Sequence, residues 1–408
     1  MSNEYIADLE KRLAYLEQKM LQIGQPNSYE PYQKNHELQK LQENLVDELQ
    51  NFGCIQPLLE DNTINDVLIN STKSIYIERY GKLIRTDINF PDDAEVFKIA
   101  EKITHLVGRS INPARPLVDT RLQDGSRVNI IAPPLSVDGT VISIRKFSNK
   151  TITLDAMGVA GNISPMVAEF LKLAGECRLN MVVSGGTGSG KTTLLNAISK
   201  HINDDERIVT IEDAAELRLQ QPHVIRLETK PLSASMRPED EVSMRDLVRN
   251  ALRMRPDRII VGEIRGPEAF DMLQAMNTGH EGSFTTIHAN HPRDALARLE
   301  NMIAQGLSLP SKSIRAQIAS AVNIIVQISR MRDGVRRIQF VSEITGMEGD
   351  TIVMQNLFQY VVTGETPDGF LVGEWKWTGI MPRCLQRITY YGQEARLEEC
   401  LNVKIKKR

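Results

Sequence analysis

The chain has 408 residues, and its 41% hydrophobic and 25% charged residues are ordinary for a soluble globular protein. The length corresponds to about two or three domains, and the formal net charge of −3 gives no strong overall attraction to nucleic acid or anionic membranes. Neither a signal peptide nor a membrane-spanning apolar stretch is recognised, so any membrane role would be peripheral. The four scattered cysteines form no Cys-X-X-Cys pair, so neither a structural zinc site nor a disulfide framework is expected.

Residues 1–52 are predicted to be a helical segment with a short heptad region. Apolar residues recur at spacings of 3, 4, 3 and 4 from Ile6 to Met20, with charged residues between them. The repeat is short for a stable coiled coil by itself. It therefore leaves open self-association, a partner helix, or a helix folded back on its own domain. A proline-containing linker at 24–34 precedes a second helical stretch.

Residues 53–147 are predicted to form a small α+β domain. The segment 64–90 alternates apolar and polar residues as strands do, with a Tyr-Gly turn in the middle. A stretch from Ala94 to Val107 has the spacing of an amphipathic helix. Two strand-rich segments follow, VDTRLQDGSRVNI and TVISIRKFS.

The region 164–408 is predicted to be an α/β domain with a C-terminal extension, joined to the first domain by a polar linker at 148–163. Ser164 caps the first predicted helix, and strands and helices then alternate to about residue 345. This alternation predicts a mostly parallel sheet covered by helices. The last part of the chain returns to short strands and ends in a helix over Gln393–Leu401.

A glycine-rich loop lies between an apolar strand and a helix in MVVSGGTGSGKTTLLNA. Its sequence matches every fixed position of G-x-x-x-x-G-K-[ST]. Glycines let backbone N–H groups surround a phosphate at a helix N-terminus, Lys191 can reach the β- and γ-phosphates, and the Thr192 hydroxyl can hold Mg²⁺. A flexible glycine turn is the alternative, but the strand–loop–helix context favours a nucleotide site. The predicted nucleotide-binding residues here are Gly185, Gly186, Thr187, Gly188, Ser189, Gly190, Lys191, Thr192 and Thr193.

Two later strands, in RIVTIEDAAEL and RPDRIIVGEIRG, end in acidic residues. A P-loop ATPase needs a carboxylate at such a position to orient Mg²⁺ and the attacking water. Because Gly262 stands where the usual Walker B aspartate would fall, Glu263 is predicted to act instead, through water-bridged magnesium. Glu212 and Asp213 end the other strand. A helix cap explains Asp213 equally well and Glu263 less well.

The segment GHEGSFTTIHANHPRD contains His280, His288 and His291. Their separations run across a glycine-rich turn and a strand, with no nearby cysteine, which does not suit a metal site. A histidine that hydrogen-bonds a γ-phosphate fits better. For His291 alone, an ordinary hydrogen-bonded histidine is the better interpretation.

Two groups of arginines could take part in chemistry. They are Arg121, Arg127 and Arg145 in the first domain, and Arg245, Arg249 and Arg253 at a helical spacing in the second. The first group could act as arginine fingers on a nucleotide, although spacing alone favours solvated strand residues. The second group forms a stripe that is usually a solvated helix face but could also line a channel.

Four blocks in this order resemble the type II/type IV secretion ATPase superfamily over about residues 55–390. They are GGTGSGKTT (Walker A), RIVTIEDAAEL (an acidic "Asp box"), RPDRIIVGEIRGPEA (an atypical Walker B) and TGHEGSFTTIHAN (His box). The segments VDTRLQDGSRVNI and ISIRKF are similar to the first-domain arginine segments of that family. MQNLFQY resembles the tail of its Tad/CpaF branch, which powers pili and secretion.

The resemblance implies a RecA-like ATPase domain, preceded by a PAS-like α+β domain and an N-terminal helical or coiled-coil segment. Glu212 would be the general base or water-positioning acid, Glu263 the magnesium-linked acid and His288 a phosphate contact, with Lys191 also catalytic. Which of the two glutamates takes the proton stays open. The three first-domain arginines would approach the γ-phosphate.

The resemblance also implies a cytoplasmic homo-hexamer that uses ATP and Mg²⁺ without zinc. It would associate peripherally with inner-membrane platform proteins and power pilus assembly or protein secretion. A DNA translocase of the RecA-like ring class is the alternative, but no basic domain or aromatic stacking platform supports direct nucleic-acid binding. A nucleotide-gated assembly protein with vestigial hydrolysis is disfavoured because Glu212, Glu263 and His288 are all present.

Overall fold

The computed structural model describes residues 51–79, 81–122, 124–147, 152–230 and 240–405. The chain divides into two compact units, with the boundary between residues 149 and 150. Both units combine helices with a β-sheet, which confirms the mixed α/β class. The heptad region predicted near the start of the chain lies outside the described residues.

The first unit contains two α-helices, a 3₁₀ turn and six strands in its described part. They are the 3₁₀ turn Gly53–Ile55, α1 (Gln56–Glu60), β1 (Ile64–Ser71), β2 (Ser74–Arg79), β3 (Lys82–Arg85), α2 (Asp93–Leu106), β4 (Leu117–Arg121), β5 (Arg127–Ile131) and β6 (Val141–Arg145). The strands form one sheet in the order β3-β2-β1-β6-β5-β4, and every neighbouring pair is antiparallel.

Helix α2 covers the apolar core of this sheet. It begins where the Asp92 side chain accepts a hydrogen bond from the Glu95 amide, a standard N-cap. Its buried residues Val96, Ala100 and Ile103 follow helical spacing and pack against alternate residues of the strands. The helix predicted between residues 94 and 107 is therefore confirmed to within one residue at each end.

The second unit alternates strands and helices before an antiparallel extension. Its elements are α3 (Leu154–Val159), α4 (Pro165–Glu176), β7 (Met181–Ser184), α5 (Lys191–Ser199), β8 (Ile208–Glu212), β9 (Val224–Glu228), α6 (Met244–Ala251), β10 (Arg258–Val261), α7 (Glu268–Asn277), β11 (Phe284–Ile287), α8 (Pro292–Gly306), α9 (Ser311–Ala321), β12 (Ile324–Arg330), β13 (Arg336–Glu348), β14 (Thr351–Glu365), β15 (Leu371–Trp377), α10 (Leu385–Tyr390) and α11 (Glu394–Leu401).

These strands form a sheet in the order β15-β14-β13-β12-β7-β11-β10-β8-β9. Pairing is parallel from β12 across to β9 and antiparallel from β12 to β15. The central strands β7, β8, β10 and β11 are buried along their whole length because apolar clusters cover both faces. Their carboxyl ends meet at one edge of the sheet, where ligands bind in such folds.

One fully buried arginine holds the other edge of this core together. The Arg258 guanidinium pairs with both carboxylate oxygens of Glu206, at 2.7 and 2.6 Å, and donates to the Gly175 carbonyl at 2.7 Å. Arg178 also pairs with Glu206, at 2.8 Å. A bidentate pair of this kind offsets the cost of burying two charges only while both partners remain.

The polar linker predicted at 148–163 differs from the structure, where helix α3 occupies part of it. The Thr153 hydroxyl accepts a hydrogen bond from the Ala156 amide and starts the helix. Leu154, Met157 and Ile163 are buried in the core of the second unit. Leu154 and Met157 are three positions apart among polar neighbours, and this spacing is sufficient for one helical turn that packs on the core.

The prediction of short strands after about residue 345 is wrong for β14, which has 15 residues. The strand before it, β13, is also long, with 13 residues. Gly346 lies inside β13 with φ +132°, at an irregularity in the pairing with β14. The turn itself falls at Gly349, φ +59°. The bulge lets a long strand bend without ending.

Candidate active site

The glycine-rich loop joins β7 to the first residue of α5. Gly188 and Gly190 have φ of +68° and +97°, a left-handed backbone that glycine adopts without strain. The Ser189 hydroxyl donates to the Gly186 carbonyl at 2.8 Å inside the loop. Thr187 is exposed, whereas Thr192 and Thr193 are half-buried in the first turn of the helix. The loop thus presents a helix N-terminus at the carboxyl edge of the sheet, as a phosphate site requires.

Lys191 lies inside the loop. Its Nζ donates to the carbonyls of Gly185 and Gly186 at 3.1 and 3.0 Å, and lies 3.3 Å from Nε2 of His288. The side chain is buried, and this burial lowers the pKa of Lys191 despite the opposing charge of Glu263. An ammonium group with little water around it gains strongly from an incoming phosphate.

Glu212 is the last residue of β8, and its side chain is only 4% exposed. The carboxylate accepts hydrogen bonds from the amides of Glu216, at 2.9 Å, and Leu217, at 3.0 Å. Burial raises the pKa of Glu212 to about 7, because the backbone donors only partly offset it. A carboxylate with a pKa near neutrality is suited to accept a proton from water.

Gly262 stands where the usual Walker B aspartate would fall, and the structure shows why a side chain does not fit at this position. A Cβ at this position would lie 2.8 Å from Cγ of Glu212 and 3.1 Å from its Oε1. Strands β8 and β10 are parallel neighbours, and this brings residues 50 positions apart into contact. The glycine therefore makes the space that the Glu212 side chain fills, a relation that sequence spacing does not show.

Glu263 is held on one side by Arg265 and faces His288 on the other. Arg265 donates to Oε2 from Nη2 at 2.6 Å and from Nε at 3.0 Å, while Oε1 lies 3.2 Å from Nε2 of His288. Arg265 also donates to Asp213 at 3.3 Å. Asp213 accepts from the Thr229 hydroxyl as well, and the chain after β8 enters no helix. The helix-cap interpretation of Asp213 is thus wrong, because this carboxylate pairs across strands.

The residues at this edge fit a magnesium ion held jointly with a nucleotide. Oε1 of Glu263 is buried and, apart from the 3.2 Å charge contact with Nε2 of His288, has no hydrogen-bond partner among the described residues. Mg²⁺ prefers oxygen ligands and usually keeps several waters, so one or two protein oxygens plus phosphate are sufficient. In the described parts of the chain no three His, Cys, Asp or Glu side chains form a metal cluster. Glu263 and the Thr192 hydroxyl are the protein oxygens that would hold such an ion together with phosphate.

The three histidines have three different environments. His288 follows β11 and bridges Lys191 and Glu263, and its pKa is lowered by burial and then by the charge of Lys191. His291 caps α8 through Nδ1 and packs edge-on against the Phe340 ring at 5.2 Å, so its interpretation as an ordinary histidine is confirmed. The His280 carbonyl accepts from a serine in the turn before β11.

Three first-unit arginines form a row across adjacent strands. Arg121 is paired opposite Arg127, and Arg127 opposite Arg145. Arg145 in turn faces Asp66 on β1, with 3.1 Å between Nε and Oδ1. Directly opposed residues share one face of the sheet, and like charges there cost stability. The three arginines therefore lie side by side on one face of the sheet, whereas spacing in the sequence alone favoured separate, solvated strand residues.

The predicted arginine stripe does not form one helix face. Arg245 and Arg249 on α6 both donate to Asp271 on α7, at 2.8 and 2.9 Å. Arg253 is exposed and lies beyond the end of α6 at Ala251. The first two arginines therefore share one acid of the same unit instead of forming an unpaired stripe.

A phosphate-binding loop with a buried lysine, beside acids at the ends of neighbouring parallel strands, defines a P-loop ATPase. The chain belongs to the type II/IV secretion system protein family, whose family model matches residues 48–352. This confirms the superfamily predicted from the four sequence blocks, and the enzyme is an ATPase. No helix in the described ranges is long and apolar enough to cross a membrane.

Two relatives and one solved structure illustrate the similarity. Conjugal transfer protein TrbB of Rhizobium radiobacter is 35% identical over 314 residues, covering 76% of this chain and 90% of the relative. Type IV secretion system protein PtlH of Bordetella pertussis is 36% identical over 311 residues, covering 70% and 91%. The Legionella pneumophila ATPase DotB shares the fold, with a TM-score of 0.51 and 22% identity over 69% of this chain and 77% of that one.

Proposed function

We propose that this chain is a homo-hexameric motor that hydrolyses ATP with Mg²⁺ to power pilus assembly or protein secretion across the bacterial envelope. The observation that carries the proposal is the line of contacts from Lys191 through His288 to Glu263, at 3.3 and 3.2 Å, beside the phosphate loop. A cation, a hydrogen-bonding ring and an acid in contact beside a phosphate loop support binding of a γ-phosphate and its attacking water.

Each side chain has a distinct role in this proposal. Lys191 binds the β- and γ-phosphates, and displacing its contacts to the loop carbonyls frees Nζ for them. His288 hydrogen-bonds the γ-phosphate through Nε2, and the lowered pKa keeps the ring neutral at physiological pH. Glu263 and the Thr192 hydroxyl hold Mg²⁺, partly through water. When bound, that ion neutralises charge that develops on the phosphate oxygens.

We assign the general base to Glu212 rather than Glu263. The pKa of Glu212 is raised to about 7, which suits its carboxylate to accept a proton at neutral pH. Oε2 of Glu263 is already engaged by the Arg265 guanidinium. Glu212 therefore accepts the proton of the attacking water, while Glu263, after the end of the neighbouring strand β10, holds the magnesium ion.

The first-unit arginines are the proposed source of charge stabilisation in the transition state. Their register on β4, β5 and β6 brings three guanidinium-bearing side chains to one face of the sheet, a grouping that suits the charge developing on phosphate oxygens. Arginine fingers contribute about 10³–10⁵ in rate. We also propose that this unit is PAS-like, which its single antiparallel sheet with central strands β1 and β6 supports.

The biological setting follows from a sequence segment and from the relatives. Assignment to the Tad/CpaF branch rests on MQNLFQY, which forms part of β14. The names of TrbB and PtlH support a place in an envelope-spanning transfer or secretion machine. We therefore propose a cytoplasmic enzyme that associates peripherally with inner-membrane platform proteins.

A DNA translocase is the second candidate, and one assay separates the two. ATP hydrolysis by the purified protein is measured with and without single- and double-stranded DNA, with Lys191→Ala as control, and the oligomeric state by analytical ultracentrifugation. A hexamer that hydrolyses ATP slowly, at a rate that DNA does not change, supports a secretion motor. Strong stimulation of hydrolysis by DNA would overturn the secretion-motor proposal. Hydrolysis retained by the Lys191 variant would refute the site itself.

A further inference from the structure

The hairpin formed by β12 and β13 packs directly against the phosphate loop. A Cβ on Gly185 would lie 2.3 Å from the Ile328 carbonyl oxygen, a contact that real side chains do not make. A Cβ on Gly190 would lie 3.3 Å from Cδ of Arg336. The two glycines at the ends of the loop thus allow the hairpin to approach it closely, which is a separate reason for glycine from phosphate binding.

Between these two contacts, the hairpin makes a hydrogen bond to the loop. Nε of Arg336 donates to the Gly188 carbonyl at 2.9 Å. A phosphate loop binds its ligand through backbone N–H groups, so its carbonyls must point away from the ligand. Glycine-rich backbone otherwise has wide conformational freedom, and ordering it on binding costs affinity. By holding the Gly188 carbonyl away from the ligand side, Arg336 orders this part of the loop before binding and so reduces the loss of affinity.

Arg336 is itself fixed by its surroundings. Its carbonyl accepts from the Asn162 side chain at 2.6 Å, and the Asn162 carbonyl accepts from the Ile338 amide at 3.0 Å. The turn before it is closed by the Met331 amide on the Val335 carbonyl at 2.9 Å. These bonds hold the backbone that carries Arg336, so its side chain reaches Gly188 from a fixed Cα position.

We propose that Arg336 is a positioning residue for the phosphate loop, which it pre-orders for nucleotide binding by holding the Gly188 peptide. It acts through the loop and not on the reacting atoms, so its effect falls on affinity and leaves the chemical step unchanged. The inference rests on the proposed nucleotide site, and Lys191→Ala distinguishes a failure of that site from a failure of this role.

The test compares Arg336→Met and Arg336→Lys with Arg332→Met. Methionine keeps the stem beside the loop without the Nε–H donor, and lysine keeps the charge without that donor. Arg332 lies in the turn of the same hairpin and pairs with Glu365, so its variant controls for loss of a hairpin charge. The measurements are ATP and ADP affinity, KM, kcat, the Tm of the nucleotide-free protein and hydrogen exchange of the loop amides.

Both Arg336 variants should bind ATP and ADP about three- to tenfold more weakly, the range expected for one lost hydrogen bond. KM should rise by the same factor with kcat and Tm nearly unchanged, and loop amides should exchange faster. Arg332→Met should match the wild type. Wild-type affinity in Arg336→Met, full rescue by lysine, or a lowered Tm with unchanged affinity would each overturn the positioning role. If Lys191→Ala binds nucleotide normally, the proposed site fails instead.

Discussion

Glu212→Gln should make the protein more stable at alkaline pH and nearly inactive. The pKa of Glu212 in the folded protein is about 7, above the ordinary value of 4.5, so ionising this carboxyl costs folding free energy. The cost is absent below about pH 4.5, grows as the pH rises and is complete above about pH 7. Glutamine cannot ionise, so the variant does not incur it.

The size of the effect follows from the two pKa values. They differ by about 2.5, and each unit corresponds to about 1.4 kcal/mol, which gives about 3 kcal/mol above neutrality. For a unit of this size, that corresponds to a Tm increase of about 6–12 °C. Loss of a general base should lower kcat by about 10²–10⁴. The wild-type kcat should rise with pH through about 7 as the carboxylate forms.

Thermal unfolding and ATP hydrolysis at pH 5 and pH 9 check this prediction. The Tm gap between variant and wild type should open only at the higher pH. Asp213→Asn is the matched control, because Asp213 is the adjacent carboxylate and is not buried. If Glu212→Gln unfolds at or below the wild-type Tm at pH 9, or turns over ATP at the wild-type rate, the assignment of Glu212 as a buried base is refuted.

Three further predictions concern other contacts. Gly262→Ala should displace the Glu212 carboxylate, lowering stability by about 1–3 kcal/mol and kcat by at least tenfold. Gly158→Ala in α3, where a Cβ meets nothing within 4 Å, should change neither stability nor kcat. His288→Ala should lower kcat with little change in Tm, and His291→Ala should cost about 1 kcal/mol of stability at the α8 cap with normal turnover; the reverse pattern would contradict both assignments. Glu206→Ala should cost about 3–5 kcal/mol by denaturant unfolding because it leaves a buried arginine unpaired, and a loss under 1 kcal/mol would show that the pair is dispensable.

The phosphate loop and the central strands could be predicted because their signals are local. Buried β-branched runs, the loop pattern and the cap at Ser164 are each contained in a few consecutive residues. The helix inside the predicted linker was missed because its apolar residues are only two or three among polar neighbours. The long strand β14 was missed because a glycine in a bulge has the same sequence signature as a glycine in a turn.

The environment of the site could not be predicted, because it depends on which strands become neighbours. Gly262 accommodates Glu212 only since β8 and β10 pair in parallel, and Arg265 joins acids from both strands. A glycine in place of the usual aspartate was a signal in the sequence, but its meaning required the partner strand. Likewise, nothing near Arg336 in the sequence indicates that it contacts a loop about 150 residues earlier.

The central claim is that one site, built from the phosphate loop and the ends of β8, β10 and β11, both binds and hydrolyses ATP. Nucleotide affinity and single-turnover hydrolysis, measured together in Lys191→Ala and Glu263→Gln, test it most directly. The account predicts that the lysine variant loses binding, and that the glutamate variant binds ATP but hydrolyses it at least 10²-fold more slowly. Wild-type single-turnover rates in Glu263→Gln, or unchanged affinity in Lys191→Ala, would contradict it.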